Sequence, residues 1–269
     1  MEISVLMSIY KNDVAEQVKM AIESILNQSL PPTQIVVVVD GPIPERLNRI
    51  ISYYESDKRF EIVRLEENGG LGNALHIGIQ HCRCDFVARM DSDDYSLPTR
   101  FAKQIAYMEE HPNVDVVGGQ IAEYDSDMRK CIAKRVVPCD MREIERLIRK
   151  RNPINHVSVL YKKEAVLAAG NYQTCLFFED YYLWCRMLLK GSQFHNLNDI
   201  LVKVRTGENM YKRRGGKDYN RAIFKFQRKM LDLGVINPIE FCENILVRLC
   251  VANMPNRMRE QIYRKVLRS

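Results

Sequence analysis

Short, dense apolar runs alternate with stretches in which apolar positions recur every three or four residues. Residues 3–10 (ISVLMSIY) are one such run, and Val14, Val18, Ile22, Ile25 and Leu26 then repeat at helical spacing. Residues 35–40 (IVVVVD) are almost wholly β-branched, the composition of a strand covered on both faces. Leu47, Ile50, Ile51 and Tyr54 mark a second helix, residues 60–65 (FEIVRL) a third strand, Leu71, Ala74, Leu75, Gly78 and Ile79 a third helix, and residues 85–90 (DFVARM) a fourth strand. Strand–helix alternation with short links predicts a mostly parallel central sheet with helices on both faces, an α/β fold.

The second half is less regular. Residues 114–119, 156–161 and 200–205 read as strands, and LPTRFAKQIAYM, which follows the fourth strand, reads as a helix. Residues 162–170 and 179–191 read as helices, each closing on a glycine suited to the position just past a helix end. A basic, Gly-containing loop (211–219, YKRRGGKDY) precedes two helices over 218–233 and 238–252. The chain shows no internal repeat and no low-complexity segment.

Composition narrows the class without naming it. The 269 residues are 46% hydrophobic and 28% charged, an ordinary globular balance, and no apolar run is long enough to span a membrane. The start reads as a strand and lacks the features of a secretory signal, so the expected compartment is the cytoplasm. Eight cysteines without a C-x-x-C pair read as reduced thiols, not as a zinc or disulfide framework. Charge is unevenly placed: from residue 200 onward there are 16 basic and 6 acidic residues, a net of +10, against −4 for the remainder. This asymmetry predicts an anionic partner near the C-terminal region. Without an aromatic-studded strand pair or a helix-turn-helix pattern, nucleic acid is not expected to be that partner.

The candidate chemistry sits where the fourth strand ends, in Asp91, Asp93 and Asp94. In an extended segment residues i and i+2 point the same way, so Asp91 and Asp93 converge with Ser92 turned aside. Adjacent carboxylates repel unless a cation lies between or near them, and an all-oxygen set suits a hard divalent ion, Mg²⁺ or Mn²⁺, completed by water and substrate phosphates. Arg89 shares the face of Asp91 and is placed to balance it. The carboxyl end of a parallel strand is also where open α/β sheets bind ligands. Asp40 ends the second strand in the same way, and ENGGLGNAL (67–75) sets a Gly-rich turn before a helix, a corner friendly to anions and nucleotides. That turn fits neither the dinucleotide G-x-G-x-x-G nor the phosphate loop of ATPases. Taken singly, each feature also has a plain structural reading as turn or helix-cap chemistry.

Together, ISVLMSIYKND, IVVVVDGP, NGGLGNAL, ARMDSDD and FFEDYYLWCRM occur in an order and spacing that resemble the family-2 glycosyltransferases of the GT-A fold. The resemblance is strongest to bacterial enzymes that build O-antigen, capsule and exopolysaccharide. It covers residues 1–205, a nucleotide-binding half (1–95) and an acceptor half (96–205), followed by a basic helical extension (206–269). It implies that Ser8 and Tyr10 line the base, that Asp40 contacts it, and that Asn68, Gly69 and Asn73 border base and ribose. It further implies that Asp91 and Asp93 form an Asp-x-Asp motif, Asp93 on the metal and Asp91 on ribose or metal, with Arg89 and Ser92 at the same nucleotide-sugar site. Many members carry proline where Ser8 stands, which leaves the base contacts at Ser8 open.

By the same resemblance Asp180, beside Glu179, is the base of an inverting displacement from a nucleotide diphosphate sugar, here a UDP-sugar, onto a lipid-linked saccharide. Position at a helix N-terminus lowers a carboxyl's pKa, whereas acidic neighbours and the apolar Phe177-Phe178 flank raise it. His156 and Trp184 are candidate acceptor contacts, with Tyr182 on the same segment as Trp184 and His195 a candidate near the leaving phosphates. For His156, His195 and Trp184, a purely structural role is the simpler reading. Arg213 and Arg214 are candidate phosphate contacts. The apolar-and-basic C-terminal stretch predicts peripheral attachment to an anionic membrane surface, at its cytoplasmic face. Two other functions remain open on sequence grounds: a nucleotidyltransferase making nucleotide sugars, and a non-catalytic nucleotide-sugar-binding scaffold. The first is disfavoured by the lack of glycine in SIYKNDV and the second by Glu179-Asp180.

Overall fold

A computed structural model describes residues 1–207, 215–255 and 258. Nine strands form one sheet in the order β3-β2-β1-β4-β8-β6-β9-β5, with β7 paired to β6. β1 (Ile3–Ile9), β2 (Gln34–Val39), β3 (Phe60–Arg64) and β4 (Phe86–Met90) are parallel neighbours. β8 (Leu160–Lys162) runs antiparallel to both β4 and β6 (Val116–Tyr124), and β9 (Phe194–Arg205) is parallel to β6. β5 (Tyr95–Ser96) and β7 (Cys131–Arg135) pair antiparallel with β9 and β6. Six of the nine strands therefore point the same way, and their carboxyl ends define one edge of the molecule.

The two faces of the sheet carry separate apolar cores, and the alternation along β2 shows why. Ile35 and Val37 pack to one side with α1 (Ala15–Leu26), α2 (Glu45–Tyr54) and α4 (Arg100–Glu110). Val36 and Val38 pack to the other with α3 (Leu71–His81), α6 (Lys163–Ala168) and α7 (Glu179–Leu189). A strand buried on both faces has no polar side to offer, which is what IVVVV encodes. α5 (Met141–Leu147) contributes Ile144 to this second core, and α8 (Lys217–Asp232) adds Ile223, Phe226 and Met230. α9 (Pro238–Ala252) closes the described chain, its start fixed by Pro238 and a reciprocal capping box between Asn237 and Glu240. The expected glycine stops hold: Gly170 and Gly191 follow α6 and α7 with φ of 85° and 87°.

Two expectations change. The apolar run 156–161 predicts one strand, but His156–Ser158 form a 3₁₀ turn and pairing begins at Leu160. Ser158 Oγ donates to the Asn155 carbonyl and Asn155 Nδ2 to that of Gly119, so local side-chain bonds displace the ladder there. β6 and β9 are longer than the runs 114–119 and 200–205, and they pair with irregular register around Gln120. All eight cysteines are free thiols, four of them buried. Among the described residues no helix is long and apolar enough to cross a membrane.

Candidate active site

The site forms along the carboxyl edge of the sheet, where β1, β2 and β4 end and α3 and α7 begin. Asp40 follows β2 and is 3% exposed. One carboxylate oxygen accepts from Gly69 N–H at 2.8 Å, the other from Gly70 N–H at 2.9 Å and Asn68 Nδ2 at 2.9 Å. Asp40 therefore pins the turn that opens α3. Gly41 makes that approach possible, because a Cβ there would sit 2.6 Å from Asn68 N. Asn73 leans its amide over Gly69, and Ser8 and Tyr10 stand at the end of β1, Tyr10 partly exposed. Asp40, Asn68, Gly69, Gly70 and Asn73 thus meet at one corner.

The acidic turn after β4 is built around a buried cation. Arg89 is almost fully enclosed; Nη2 donates to Asp91 Oδ1 and Nη1 to the Met90 carbonyl. That placement corrects one expectation: Arg89 acts through Asp91, because its burial leaves no surface for a nucleotide sugar. Arg100 lies behind it, donating to the carbonyls of Arg89 and Val159 at 2.8 and 3.0 Å. Ser92 is buried with its side chain bonded to Asp13.

Asp13 and Arg205 are the residues that sequence reasoning passed over. Asp13 accepts the Tyr10 N–H at 3.1 Å, and burial pushes its carboxyl up to about 6; the charges of Asp93 and Asp91 push the same way, against the bonds from Tyr10 and Ser92. Arg205, at the end of β9, donates Nε to the Asp93 carbonyl at 3.1 Å and its backbone N–H to Asp94 Oδ1 at 2.8 Å. Its Nη1 reaches the Ser126 carbonyl. Asp94 is buried and its carboxyl is raised well above the usual range, first by burial and then by Asp93 and Asp91. The only available sequence signals were the acid in YKND and the arginine that ends a strand.

Asp13 and Asp94 are thus both raised, by burial first and then by the charges of Asp93 and Asp91, so four carboxyls share one neighbourhood with the enclosed Arg89 guanidinium. Among the described residues no three His, Cys, Asp or Glu side chains close a complete metal cage. An open, oxygen-only, over-acidic set fits a hard divalent ion that takes its remaining ligands from water and phosphate.

Across the edge, α7 begins at Glu179. Burial pushes Glu179 up to about 7, with Asp180 adding to it and backbone N–H groups opposing. Asp180 is also raised, by burial first, against the Tyr181 N–H, the Asn152 amide and the charge of Arg135. Asn152 Nδ2 donates to Asp180 Oδ2 at 2.6 Å. The competition posed by the sequence is therefore decided by desolvation over the helix terminus. Gly72 lets the first turn of α3 touch this pair, since a Cβ there would meet Glu179 Cγ at 2.9 Å. Asp91 and Asp180 both act electrostatically on the buried Tyr172.

His156 is half-buried, its Nε2 3.0 Å from Tyr172 Oη, and burial next to Arg89 lowers its pKa well below the ordinary value. Trp184 is not an acceptor contact: it is fully buried, in edge contact with Phe194 and His156. Tyr182 is occupied by Arg186 and Lys229, whose charges lie over its ring. His195 does not reach the site either; it sits at the start of β9, stacked on Tyr107 at 4.2 Å, whereas Arg205 at the other end of the strand meets the acidic turn. Arg213 and Arg214 lie outside the described residues.

Residues 4–167 match the sequence model described as Glycosyl transferase family 2, and the chain belongs to that family. It is 37% identical to the amylovoran biosynthesis glycosyltransferase AmsE of Erwinia amylovora, over 97% of this chain and 98% of the relative. It is 32% identical to the UDP-Gal:α-D-GlcNAc-diphosphoundecaprenol β-1,3-galactosyltransferase of Escherichia coli, over 98% and 96%. Among solved structures it superposes on the mannosyltransferase PcManGT of Pyrobaculum calidifontis, in complex with GDP-Man and Mn²⁺, with a TM-score of 0.64 and 14% identity, over 96% of this chain and 71% of that one. The fold is GT-A and the protein is a bacterial-type glycosyltransferase, which places it outside the nucleotidyltransferase alternative.

Proposed function

We propose that the protein transfers a sugar from a UDP-sugar to a lipid-linked saccharide diphosphate, with inversion and with the help of Mn²⁺ or Mg²⁺, at the inner face of the cell membrane during surface polysaccharide synthesis. The observation that carries this reading is the contact of Glu179, beside Asp180, with the first turn of α3, the turn that Asp40 pins at the carboxyl edge of the sheet. The relatives support the substrates: one is named for a UDP-Gal donor and a GlcNAc-diphosphoundecaprenol acceptor, another for amylovoran biosynthesis.

Asn68, Gly69 and Asn73, with Ser8 and Tyr10, hold the nucleoside, and the buried Asp40 acts through the turn it pins, not by touching the base. Asp93 and Asp91 would hold the divalent ion, which when bound offsets the charge gathering on the departing diphosphate. Ser92 and Asp13 keep that turn in register, and Arg89 holds Asp91. The raised pKa of Asp180 makes its carboxylate a better proton acceptor than an exposed aspartate. It takes the proton of the acceptor hydroxyl as the oxygen bonds to the anomeric carbon and the carbon–phosphate oxygen bond breaks, releasing UDP. A single displacement inverts the anomeric centre, so an α-linked donor gives a β-linkage. His156, kept neutral and fixed by Tyr172, faces the acceptor.

The test is a donor screen reading nucleoside diphosphate release with Mn²⁺ and with Mg²⁺, followed by the anomeric coupling of the product by NMR. UDP release that needs both a divalent ion and a lipid-diphosphate saccharide, with a β product, is expected. Donor binding without release from any nucleotide sugar would favour the scaffold reading.

A further inference from the structure

The C-terminal helices α8 and α9 expose a surface that the transfer reaction does not use. α9 turns Phe241, Ile245 and Leu249 toward the second core and leaves Ile239, Leu246 and Val247 in solvent at 71%, 66% and 61% exposure. Cys242 and Cys250 share this outer face, with Glu243 its one charge. α8 shows Arg221, Phe224, Lys225 and Arg228 on one exposed face, Phe224 at 53%, because its Ile223, Phe226 and Met230 turn inward. The Phe224 ring meets Phe241 edge-on at 5.8 Å, and Asn220 Nδ2 donates to Asn253 at 2.9 Å, so the two outer faces lie side by side.

The apolar-and-basic C-terminal stretch of the sequence begins in α9, and its part beyond residue 255 lies, except for Met258, outside the described residues. Arg248, the cation of α9, is turned inward, donating to the Lys150 carbonyl with its guanidinium over Phe178 and Tyr181. The outer stripe of α9 is thereby left nearly free of charge, and the basic groups beside it come from α8. Arg221 and Arg228 make exposed pairs with Asp218 and Asp232 along α8, a weak kind of pairing that an anionic surface can replace.

The geometry points to this two-helix surface as the seat of an anionic lipid bilayer, α9 lying on the headgroup boundary by its aliphatic stripe and α8 pairing lipid phosphates. The occupant follows from charge. An aliphatic stripe flanked by Arg221, Lys225 and Arg228, in a C-terminal region whose sequence carries a net of +10, complements acidic headgroups. α8 also begins beside the catalytic pair: Tyr219 meets Phe177 edge-on at 5.2 Å and stacks on Phe178, the residues just before Glu179. The inference deepens the proposed function and rests on it for where the acceptor lies. A saccharide held at the bilayer by its lipid would arrive next to Asp180.

Co-sedimentation of the full chain with phosphatidylcholine vesicles, with and without phosphatidylglycerol, tests it. Wild type is expected to sediment with the anionic vesicles only, and less so as salt rises. Leu246→Ser with Val247→Ser should lower partitioning by about tenfold or more. Lys225→Gln and Arg228→Gln should each lower it by roughly fivefold. All four positions are exposed, so thermal melts and transfer to a short water-soluble acceptor should be unchanged, while transfer to an acceptor embedded in anionic vesicles falls. Failure of wild type to bind, or variants that bind as wild type does, overturns the inference. So does a dimer in sedimentation equilibrium that Leu246→Ser/Val247→Ser dissolves, which would assign the stripe to a second copy. Vesicle binding with these losses but no turnover on any nucleotide sugar would sink the proposed function and leave the membrane surface standing.

Discussion

Replacing Glu179 by glutamine isolates the cost of holding a carboxylate at the mouth of this cleft. Burial pushes the group from an ordinary 4.5 to about 7. At about 1.4 kcal/mol per pH unit that gap corresponds to about 3 kcal/mol, and the partly open side chain reduces it to about 2 kcal/mol. The sign follows from proton counting. Below about pH 4.5 the carboxyl is protonated in both the folded and the unfolded chain, and glutamate and glutamine are equivalent. Between there and pH 7 the unfolded chain gives up its proton while the folded one keeps it, so wild-type stability falls as pH rises. Above pH 7 the deficit is complete. Glutamine keeps the shape and the acceptor oxygen without the charge. Glu179→Gln is therefore expected to match wild type near pH 4.5 and to exceed it by about 2 kcal/mol at pH 8. That is a shift of about 1 M in the urea midpoint for an m-value near 2 kcal/mol per M. Urea unfolding of both proteins at the two pH values measures it directly. An equal difference at both pH values, or a loss of stability at pH 8, would refute the reasoning by showing that the carboxylate is hydrated in the cleft.

Three further outcomes follow from the same geometry. Asp180→Asn should cut transfer by about 10² to 10⁴ without lowering the melting temperature, because asparagine removes a desolvated charge and still accepts from Asn152; transfer within tenfold of wild type in a UDP-release assay would count against Asp180 as the base. Asp40→Ala strands three N–H donors, from Asn68, Gly69 and Gly70, and should cost about 3 to 5 kcal/mol in urea unfolding while raising the donor KM. Arg205→Ala releases the Asp93 carbonyl and should raise the Mn²⁺ concentration for half-maximal UDP release, with the circular dichroism spectrum unchanged; Arg205→Lys should not restore it, since one ammonium cannot reach both the Asp93 and Ser126 carbonyls.

What the sequence made legible was what is local. β1, β2 and β4 are short apolar runs ending in polar residues, so their positions and the placing of Asp40 and Asp91 at their carboxyl ends could be read from the chain alone. The α6 and α7 stops were equally plain, each helix meeting a glycine. β7 and α5 escaped because neither carries a clear apolar period: CIAKR is an edge strand with charge on it, and MREIERL buries Ile144 alone. Trp184 followed the periodicity with Leu188, which favours a core position, and there the structure sides with spacing against the lure of an aromatic near a sugar.

Asp13 and Arg205 mark the limit of such reading, and for a physical reason. Arg205 stands 112 residues beyond Asp93, and nothing near either one signals the other. Their meeting depends on β9 running parallel to β6 for its whole length, through irregular register at Gln120, and then pairing Tyr95 and Ser96 with Lys203 and Val202. Only that long-range register carries the strand's final arginine back to the turn that β4 began. A change of strand register at Gln120 would leave every motif in the sequence intact and still pull the Arg205 guanidinium away from Asp93. The acidic turn is thus written locally in its charge and globally in its position. The expected loss of Mn²⁺ affinity in Arg205→Ala, a residue whose side chain meets the turn at the main-chain carbonyl of Asp93, distinguishes the second kind of information from the first.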